Sequence, residues 1–482
     1  MLAVDDEMIR TAFDPFAPKP SAGDQPAPLE HGKVYVCGST EHAAGGHTGP
    51  SPTGHGHHHQ HRAPLRTPHL LTTLLEAQVM QISCGGRHSA LVLSDGELYA
   101  CGNNEYGKCG FGDTTARTEP TPVPIPLQLG APPSHVVRVA MVSCGRSHTG
   151  FVCTMGELYT YGLGLYGQLG HQSLANQLTP LRVEGVGGAA NSVSCGGLHT
   201  LVVRADGRAL SCGFNDAGCL GRSLDTGKAD EGGAVQCSSR LDAVLVSRTA
   251  SSSDAFAVIS AAAGGAHSTL VLADGSVYTC GRGECGQLGH GSNESEAQPR
   301  RITALKGIRV RRAACGQAHT LLLTSAGVPY ACGGGSFGKL GLGGRASVMV
   351  PTPLAHLSAH VIVQISAGDA HSSFVSETGK VFLCGDDGEG QLGLHRGSGG
   401  ARQARSPLRA LSEPSARTPP PRPRRGALSS HLLRAPPWRA SSVLLAPALS
   451  SYRPPSRPHL APGIRRGRAE HTAAADASEA RP

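Results

Sequence analysis

Apolar residues alternate with small or polar ones along much of the chain, the period-two pattern of half-buried strands. Ser89-Ala90-Leu91-Val92-Leu93 reads as a strand, Ser94-Asp95-Gly96 as a tight turn, and Glu97-Leu98-Tyr99-Ala100-Cys101 as a strand running back. A fixed phrase precedes this hairpin: Cys84-Gly85-Gly86-Arg87-His88-Ser89, then Cys144-Gly145-Arg146-Ser147-His148-Thr149, and again around His199, His267, His319 and His371. Three residues before each histidine stands a glycine (Gly85, Gly145, Gly196, Gly264, Gly316, Gly368), and further glycines follow at 8, 14, 19 and 22 residues after it. The period runs from 51 to 68 residues, so constant hairpins are joined by connections of variable length. One supersecondary unit per repeat, with insertions confined to loops, has this signature. The expectation is all-β. The glycines mark turns of positive φ and places where backbones approach too closely for a side chain.

Composition narrows the class. Of 482 residues 65 are Gly and 34 Pro, while aromatics make up 4% and charged residues 16%, which argues against a helical protein or a coiled coil. No run of 18 apolar residues exists, and the acidic start (Asp5, Asp6, Glu7) lacks the order of a secretory signal, so a soluble, cytoplasmic or nuclear chain is expected. The net charge of +8 is unevenly placed. Residues 396–482 carry 16 Arg, no Lys and 4 acidic residues, residues 1–30 are acidic, and the body between is neutral. A basic, Pro- and Ala-rich tail cannot form a core, so nucleic-acid contact is expected only weakly, through that tail.

The units at His267 and His148, with phrases such as Asp274-Gly275-Ser276-Val277-Tyr278-Thr279-Cys280-Gly281 followed by Gly286-Gln287-Leu288-Gly289, resemble the regulator-of-chromosome-condensation repeat. The resemblance covers roughly residues 31–395 and implies a seven-bladed β-propeller with four antiparallel strands per blade. Family members often carry Trp before the first loop glycine. Here Cys37, Cys101, Tyr161, Cys212, Cys280, Cys332 and Cys384 hold that place, and the lone Trp438 lies in the tail. The returning strand occurs seven times, beginning with Gly32-Lys33-Val34-Tyr35-Val36-Cys37-Gly38, but the histidine half occurs six times. A ring of this family joins strands from both chain ends in its last blade. After Gly393 the sequence turns to low complexity, so the seventh blade is expected to be incomplete on the C-terminal side, with unpaired strand edges at the seam. The domain reading is a disordered acidic segment 1–30, a propeller 31–395 and a disordered tail 396–482. Within the propeller lie a His-rich loop 42–69 and a long insertion 222–263. The insertion reads either as a functional loop or as a disordered one.

The candidate chemistry dissolves on inspection. One histidine per blade leaves no pair to share a ligand, and each is expected to be buried, bonding turn backbone within its own blade. Most of the 15 cysteines recur at two strand positions, without any Cys-x-x-Cys, which marks them as small packing residues. Three stretches match a dinucleotide fingerprint, at 162–167, 281–286 and 333–338, and two approach a P-loop, but the repeat already accounts for every glycine in them. The tract 54–61 could hold a metal weakly and reads better as loop filler, and Asn293-Glu294-Ser295 is a sequon without a secretion signal. No catalytic residue, metal or cofactor is assigned.

The reading is therefore a monomeric protein-interaction propeller, a scaffold or regulator without enzyme activity, with protein partners and no membrane contact. Its partner-binding loops are expected to present Glu105, Tyr106, Tyr166, Asn215, Asp216, Asp386 and Asp387. The alternative that the resemblance implies is guanine-nucleotide exchange on a small Ras-like GTPase. Chromatin-binding members have a basic N-terminal arm where this chain is acidic, and light-sensing members depend on clustered Trp that this body lacks.

Overall fold

The structure is a computed structural model that describes residues 2–4, 34–38, 65–126, 136–215, 217–224, 236–246, 257–393, 409–410 and 442–443. The protein is an all-β propeller. Among the described residues helix is limited to single 3-10 turns, such as Thr72–Leu74 and Ala355–Leu357. Six four-stranded antiparallel sheets are built alike and in chain order. The first runs Val79–Cys84, His88–Leu93, Leu98–Gly102 and Arg117–Pro122. The predicted hairpin is displaced by no more than one residue. Its turn closes through the Gly96 amide on the Leu93 carbonyl at 3.0 Å, with Gly96 at φ +85°, a conformation that glycine adopts without a Cβ penalty. In the other five blades the second strand begins at His148, His199, His267, His319 and His371.

Alternating apolar residues from both faces of each sheet fill the space between neighbouring blades. Ala90, Val92, Leu98 and Ala100 of the first blade meet Val142, Phe151, Tyr159 and Tyr161 of the second. Leu321, Leu323 and Ala331 of the fifth meet Ile362, Ile365 and Phe374 of the sixth in the same way. Cysteine fits this role: Cys101, Cys212, Cys280, Cys332 and Cys384 are all buried thiols at the end of the returning strand, and burial pushes each of them up from its ordinary pKa.

A further four-stranded sheet is assembled from both ends of the chain, in the order Ser442–Val443, Leu2–Val4, Tyr35–Gly38, Leu65–Leu70. Its outer half docks as a blade does, with Val34, Val36, Leu71 and Leu74 packed on Val79, Ile82 and Leu91. Its inner strands are three and two residues long against six elsewhere.

Several boundaries need correction. The seam is not bare, because Leu2 and Ala3 pair with Val36 and Tyr35 and then with residues 442–443. The tail contributes Arg409–Ala410 as the outer strand of the sixth blade, against Phe382 and Leu383. The insertion 222–263 contains the outer strand of the third blade, Cys237–Ala243, and the whole inner strand of the fourth, Val258–Ala263. Likewise the loop 42–69 runs into the strand Leu65–Leu70. These outer strands pair by backbone and carry weak alternation, so the sequence pattern that exposes the hairpins misses them. The tract 54–61, residues 5–30 and Asp216 lie outside the described residues.

The glycine before each histidine is there for space rather than for φ. A Cβ on Gly145 would stand 2.6 Å from the Gly196 carbonyl oxygen and 2.7 Å from the His148 ring, whereas one on Gly344 would meet nothing within 4 Å. We expect Gly145→Ala to cost about 1–3 kcal/mol and Gly344→Ala less than about 0.5 kcal/mol, read by urea unfolding. Equal costs would contradict the close approach.

Candidate functional site

The six repeat histidines do not bond turn backbone in their own blades, as their sequence suggested. Five of them reach into the next one. His88 Nε2 lies 2.7 Å from Thr149 Oγ1, His148 Nε2 2.9 Å from Thr200 Oγ1, and His199 Nε2 3.0 Å from Ser268 Oγ. His267 Nε2 meets Thr320 Oγ1 at 2.9 Å, and His319 Nε2 meets Ser372 Oγ at 2.9 Å. Each hydroxyl is the residue after the next blade's own histidine. It donates its proton back to a carbonyl of the first blade's loop: Thr149 to Lys108 at 2.8 Å, Thr200 to Gln168 at 2.7 Å, Ser268 to Cys219 at 2.6 Å, Thr320 to Gln287 at 2.7 Å and Ser372 to Lys339 at 2.6 Å. A hydroxyl has one proton to give. The imidazole must therefore be the donor, through Nε2–H, which leaves Nδ1 unprotonated. Nδ1 of His88, His148, His267 and His319 is buried without a partner, and each ring lies against its preceding glycine.

Backbone bonds run beside these relays. The Gly86 amide donates to Gly145 O at 3.1 Å, Arg146 to Gly196 O at 3.1 Å and Gly197 to Gly264 O at 2.9 Å. Ser83, Ser143 and Ser194 accept from amides of the next inner strand at 2.8–3.0 Å. Burial holds the imidazoles neutral: His88, His148 and His267 are pushed down to about 3, His199 to about 4 and His319 well below its ordinary value, with nearby cations such as Lys108 acting in the same direction on His88. His371 differs. It is only partly buried and has no hydroxyl partner among the described residues.

The loops that follow the returning strands form the candidate partner surface, at the end of the sheets where the histidine turns lie. Asn215 and Asp387 are not exposed, as expected of partner contacts. They are buried and hold their loops, Asn215 Oδ1 accepting the Leu220 amide at 2.9 Å and Asp387 Oδ1 the Leu392 amide at 3.1 Å. Asn104, not singled out from sequence, does the same for Cys109 at 2.8 Å. The signal was present as Asn or Asp in three of the six repeats at the place 16 residues after the histidine, where the other three hold glycine. Glu105 is exposed, and Tyr106, Tyr166 and Asp386 are half-buried, Tyr166 with its ring edge-on to Phe214 at 5.3 Å.

A second fixed place, 20 residues after the histidine, holds glutamine in three blades, lysine in two and Cys219 in the third. Where it holds glutamine, the side-chain carbonyl accepts the amide two residues earlier: Gln168 from Tyr166 at 2.9 Å, Gln287 from Cys285 at 2.9 Å and Gln391 from Glu389 at 2.8 Å. Lys108 and Lys339 occupy that place in the first and fifth blades and have no acceptor to offer. There the residue two earlier turns left-handed, Tyr106 at φ +64° and Phe337 at φ +60°. For a bulky side chain this is a strained conformation. Tyr106 lines a groove of about 530 Å³ with Asn103, Glu105, Thr114, Asn176 and Leu178, between the first blade's loop and the second blade's outer strand. Exposed Leu165 and Leu174 stand on the loop of that second blade.

No group of three or more His, Cys, Asp or Glu is placed to hold a metal among the described residues, and no helix there is long and apolar enough to cross a membrane.

The repeat design, blade count and sheet order define a class, and the comparisons agree. Models of the regulator of chromosome condensation (RCC1) repeat match residues 95–152, 155–203, 274–323 and 327–375, and in a second form 79–108, 191–219, 258–287 and 362–391. The chain belongs to this family. It is 31% identical to the ultraviolet-B receptor UVR8 of Arabidopsis thaliana over 66% of this chain and 67% of that one. It is 30% identical to the human E3 ubiquitin-protein ligase HERC2 over 68% of this chain, which spans 6% of that protein. Solved structures with the same fold include human WBSCR16 (TM-score 0.63, 22% identity, 79% of this chain and 94% of that one) and Prp20p of Saccharomyces cerevisiae (TM-score 0.59, 19% identity, 73% and 81%).

Two outcomes follow from the relays. Thr200→Val strands both the His148 Nε2–H and the Gln168 carbonyl, and we expect a loss of about 2–4 kcal/mol by urea unfolding. A loss below about 0.5 kcal/mol would contradict the relay. The imidazoles titrate below their ordinary 6.5 when folded, so the unfolded chain takes up protons first. The stability this arrangement confers is complete above pH 6.5 and drains away as pH falls toward 4, by up to about 1.4 kcal/mol per pH unit for each histidine. Unfolding free energy measured from pH 7 to 4 should fall with a slope of several protons, and a flat profile down to pH 5 would contradict neutral burial.

Proposed function

We propose that the chain is a protein-interaction propeller, a scaffold or regulator that uses its loop face to hold a protein partner. The observation that carries this reading is the groove at Tyr106. A half-buried aromatic is kept in a strained backbone conformation beside Leu178, with amide and carboxylate groups of Asn103, Asn176 and Glu105 around it. Such strain persists only where the surroundings impose it, and an aromatic anchor rimmed by polar groups is the usual centre of an interface. The rigid frame under the loops, tied blade to blade by the histidine–hydroxyl relays, supports a binding role.

In this reading the sheet built from both chain ends is a seventh blade, incomplete on its inner side, and the propeller of residues 31–395 is joined by strands 2–4, 409–410 and 442–443 from the flanking segments. The protein acts as a monomer in the cytoplasm or nucleus.

A second reading is guanine-nucleotide exchange on a small Ras-like GTPase. It is favoured by the fold shared with Prp20p, whose structure was reported together with its binding properties to Gsp1p and histones. Nucleotide release from purified small GTPases, measured with and without this protein, separates the two. Acceleration favours exchange, and a stable complex without acceleration favours the scaffold.

Tyr106→Gly tests the groove in either case. Glycine adopts φ +64° freely, so the variant should be more stable by about 1 kcal/mol while its partner affinity falls about tenfold or more. Unchanged affinity in titration calorimetry would move the interface elsewhere.

A further inference from the structure

A kinase that selects by charge takes a serine or threonine with arginine two or three residues before it, on backbone that can lie extended in its cleft. Among the described residues two exposed hydroxyls carry such a phrase, and the fold treats them in opposite ways. Arg300-Arg301-Ile302-Thr303 has the fuller charge pattern, with arginine at both places. Its backbone is committed. Ile302 and Leu305, on either side of Thr303, are buried with Val271, Val277 and Leu322 between the fourth and fifth blades. Arg300 Nη1 holds Glu296 Oε1 at 2.6 Å. Presenting Thr303 in a cleft means drawing Ile302 out of that core.

Gly344-Arg345-Ala346-Ser347-Val348 has one arginine and a presented backbone. Residues 343–347 are all exposed, a Cβ on Gly344 would meet nothing within 4 Å, and half-buried Val348 opens the fifth blade's outer strand. Ser347 stands 28 residues after its histidine, as Asn176 and Ser295 do in their blades. Those two accept loop amides with their side-chain oxygens, Asn176 from Gly164 at 2.9 Å and Ser295 from Gly283 at 3.1 Å. Ser347 Oγ makes no such bond among the described residues, and Arg345 makes no ion pair there. Neither group is spent on the fold.

A cation stands on the neighbouring loop. The fourth blade's loop lies on the fifth blade's outer strand as the first blade's loop lies on that of the second. A Cβ on Gly286 would stand 2.8 Å from Met349 Cα, and one on Gly107 2.6 Å from Leu178 Cα. Asn103 and Asn176 both line the groove at the first of these contacts, and Arg282 and Ser347 hold the same places at the second. Arg282 Nε lies 3.8 Å from Glu284 Oε1 with both side chains exposed, a weak pair that a neighbouring dianion outcompetes.

We propose that Ser347 is a phosphorylation site for an arginine-directed serine/threonine kinase that reads Arg345 and Val348, and that Arg282 receives the phosphate. The γ-phosphoryl group of ATP moves to Ser347 Oγ. The bond from phosphorus to the ADP oxygen breaks, the P–Oγ bond forms, and the hydroxyl proton leaves to the kinase's base. The product carries a charge of about −1.5 to −2 at pH 7. The groove at Tyr106 lies between the first and second blades, so that site and this one stand or fall separately.

The test uses the catalytic subunit of cyclic-AMP-dependent kinase with MgATP, acting on the full-length protein and on synthetic peptides of residues 297–308 and 341–352. Mass spectrometry reads each position. Ser347 should be modified both in its peptide and in the folded protein, and Arg345→Ala should slow it about tenfold or more. Thr303 should be modified in its peptide and about tenfold or more slower in the folded protein. An unmodified Ser347 in the folded protein, indifference to Arg345→Ala, or Thr303 reacting as fast in the protein as in its peptide overturns the site. Phosphorus-31 titration of the modified protein reads the receiver. The phosphoserine should lose its second proton below its ordinary value of about 6 and return to it in Arg282→Ala. The same titration in both proteins overturns the part given to Arg282.

Discussion

A threonine or serine hydroxyl at the start of the second strand, in blades two to six, sits between two blades and belongs to both. It receives a proton from the imidazole of the blade before it and passes its own to a loop carbonyl of that same blade. Both end groups are buried, so failure at the middle leaves two polar groups unsatisfied, and in the interior that costs far more than the bond gains. A single small side chain thereby fixes spacing, angle and register between rigid sheets. Backbone bonds from the glycine turns and the serines of the inner strands tie the same junction nearer its inner edge. The apolar layer between blades supplies adhesion without direction, and the relays supply direction.

This division explains the composition. A wheel of sheets held by small buried groups needs few aromatics and few charges, and the body between the acidic start and the basic tail is neutral. The glycine before each histidine is required by the flat ring lying on it, and the glycines of the hairpin turns by their left-handed φ. The cysteines that end the returning strands are small and buried. Burial raises their thiols, which suits packing and opposes reactivity.

Much of this was legible in the chain. The histidine and glycine register exposed the hairpins and the repeat to within a residue, because period-two alternation and positive-φ turns are local properties. The partners of the histidines were not legible, because the hydroxyl belongs to the same phrase and nothing local says that it bonds backwards across a junction. Asn215 and Asp387 looked like solvated loop residues because loops are usually wet, yet their side chains serve as internal acceptors for their own loops. The outer strands hid in the variable connections, where pairing is by backbone and the side chains carry little pattern. The strained loop at Tyr106 was written in the sequence after all, as a lysine at a place where three other repeats hold glutamine.

The relay makes a claim about individual protons, and nitrogen-15 spectra of the histidine rings read it directly. With the protein folded at pH 5, the account predicts five imidazoles that remain neutral with the proton on Nε2 and do not titrate. Repeat histidines that protonate near their ordinary 6.5 in the folded state, or carry the proton on Nδ1, would contradict it.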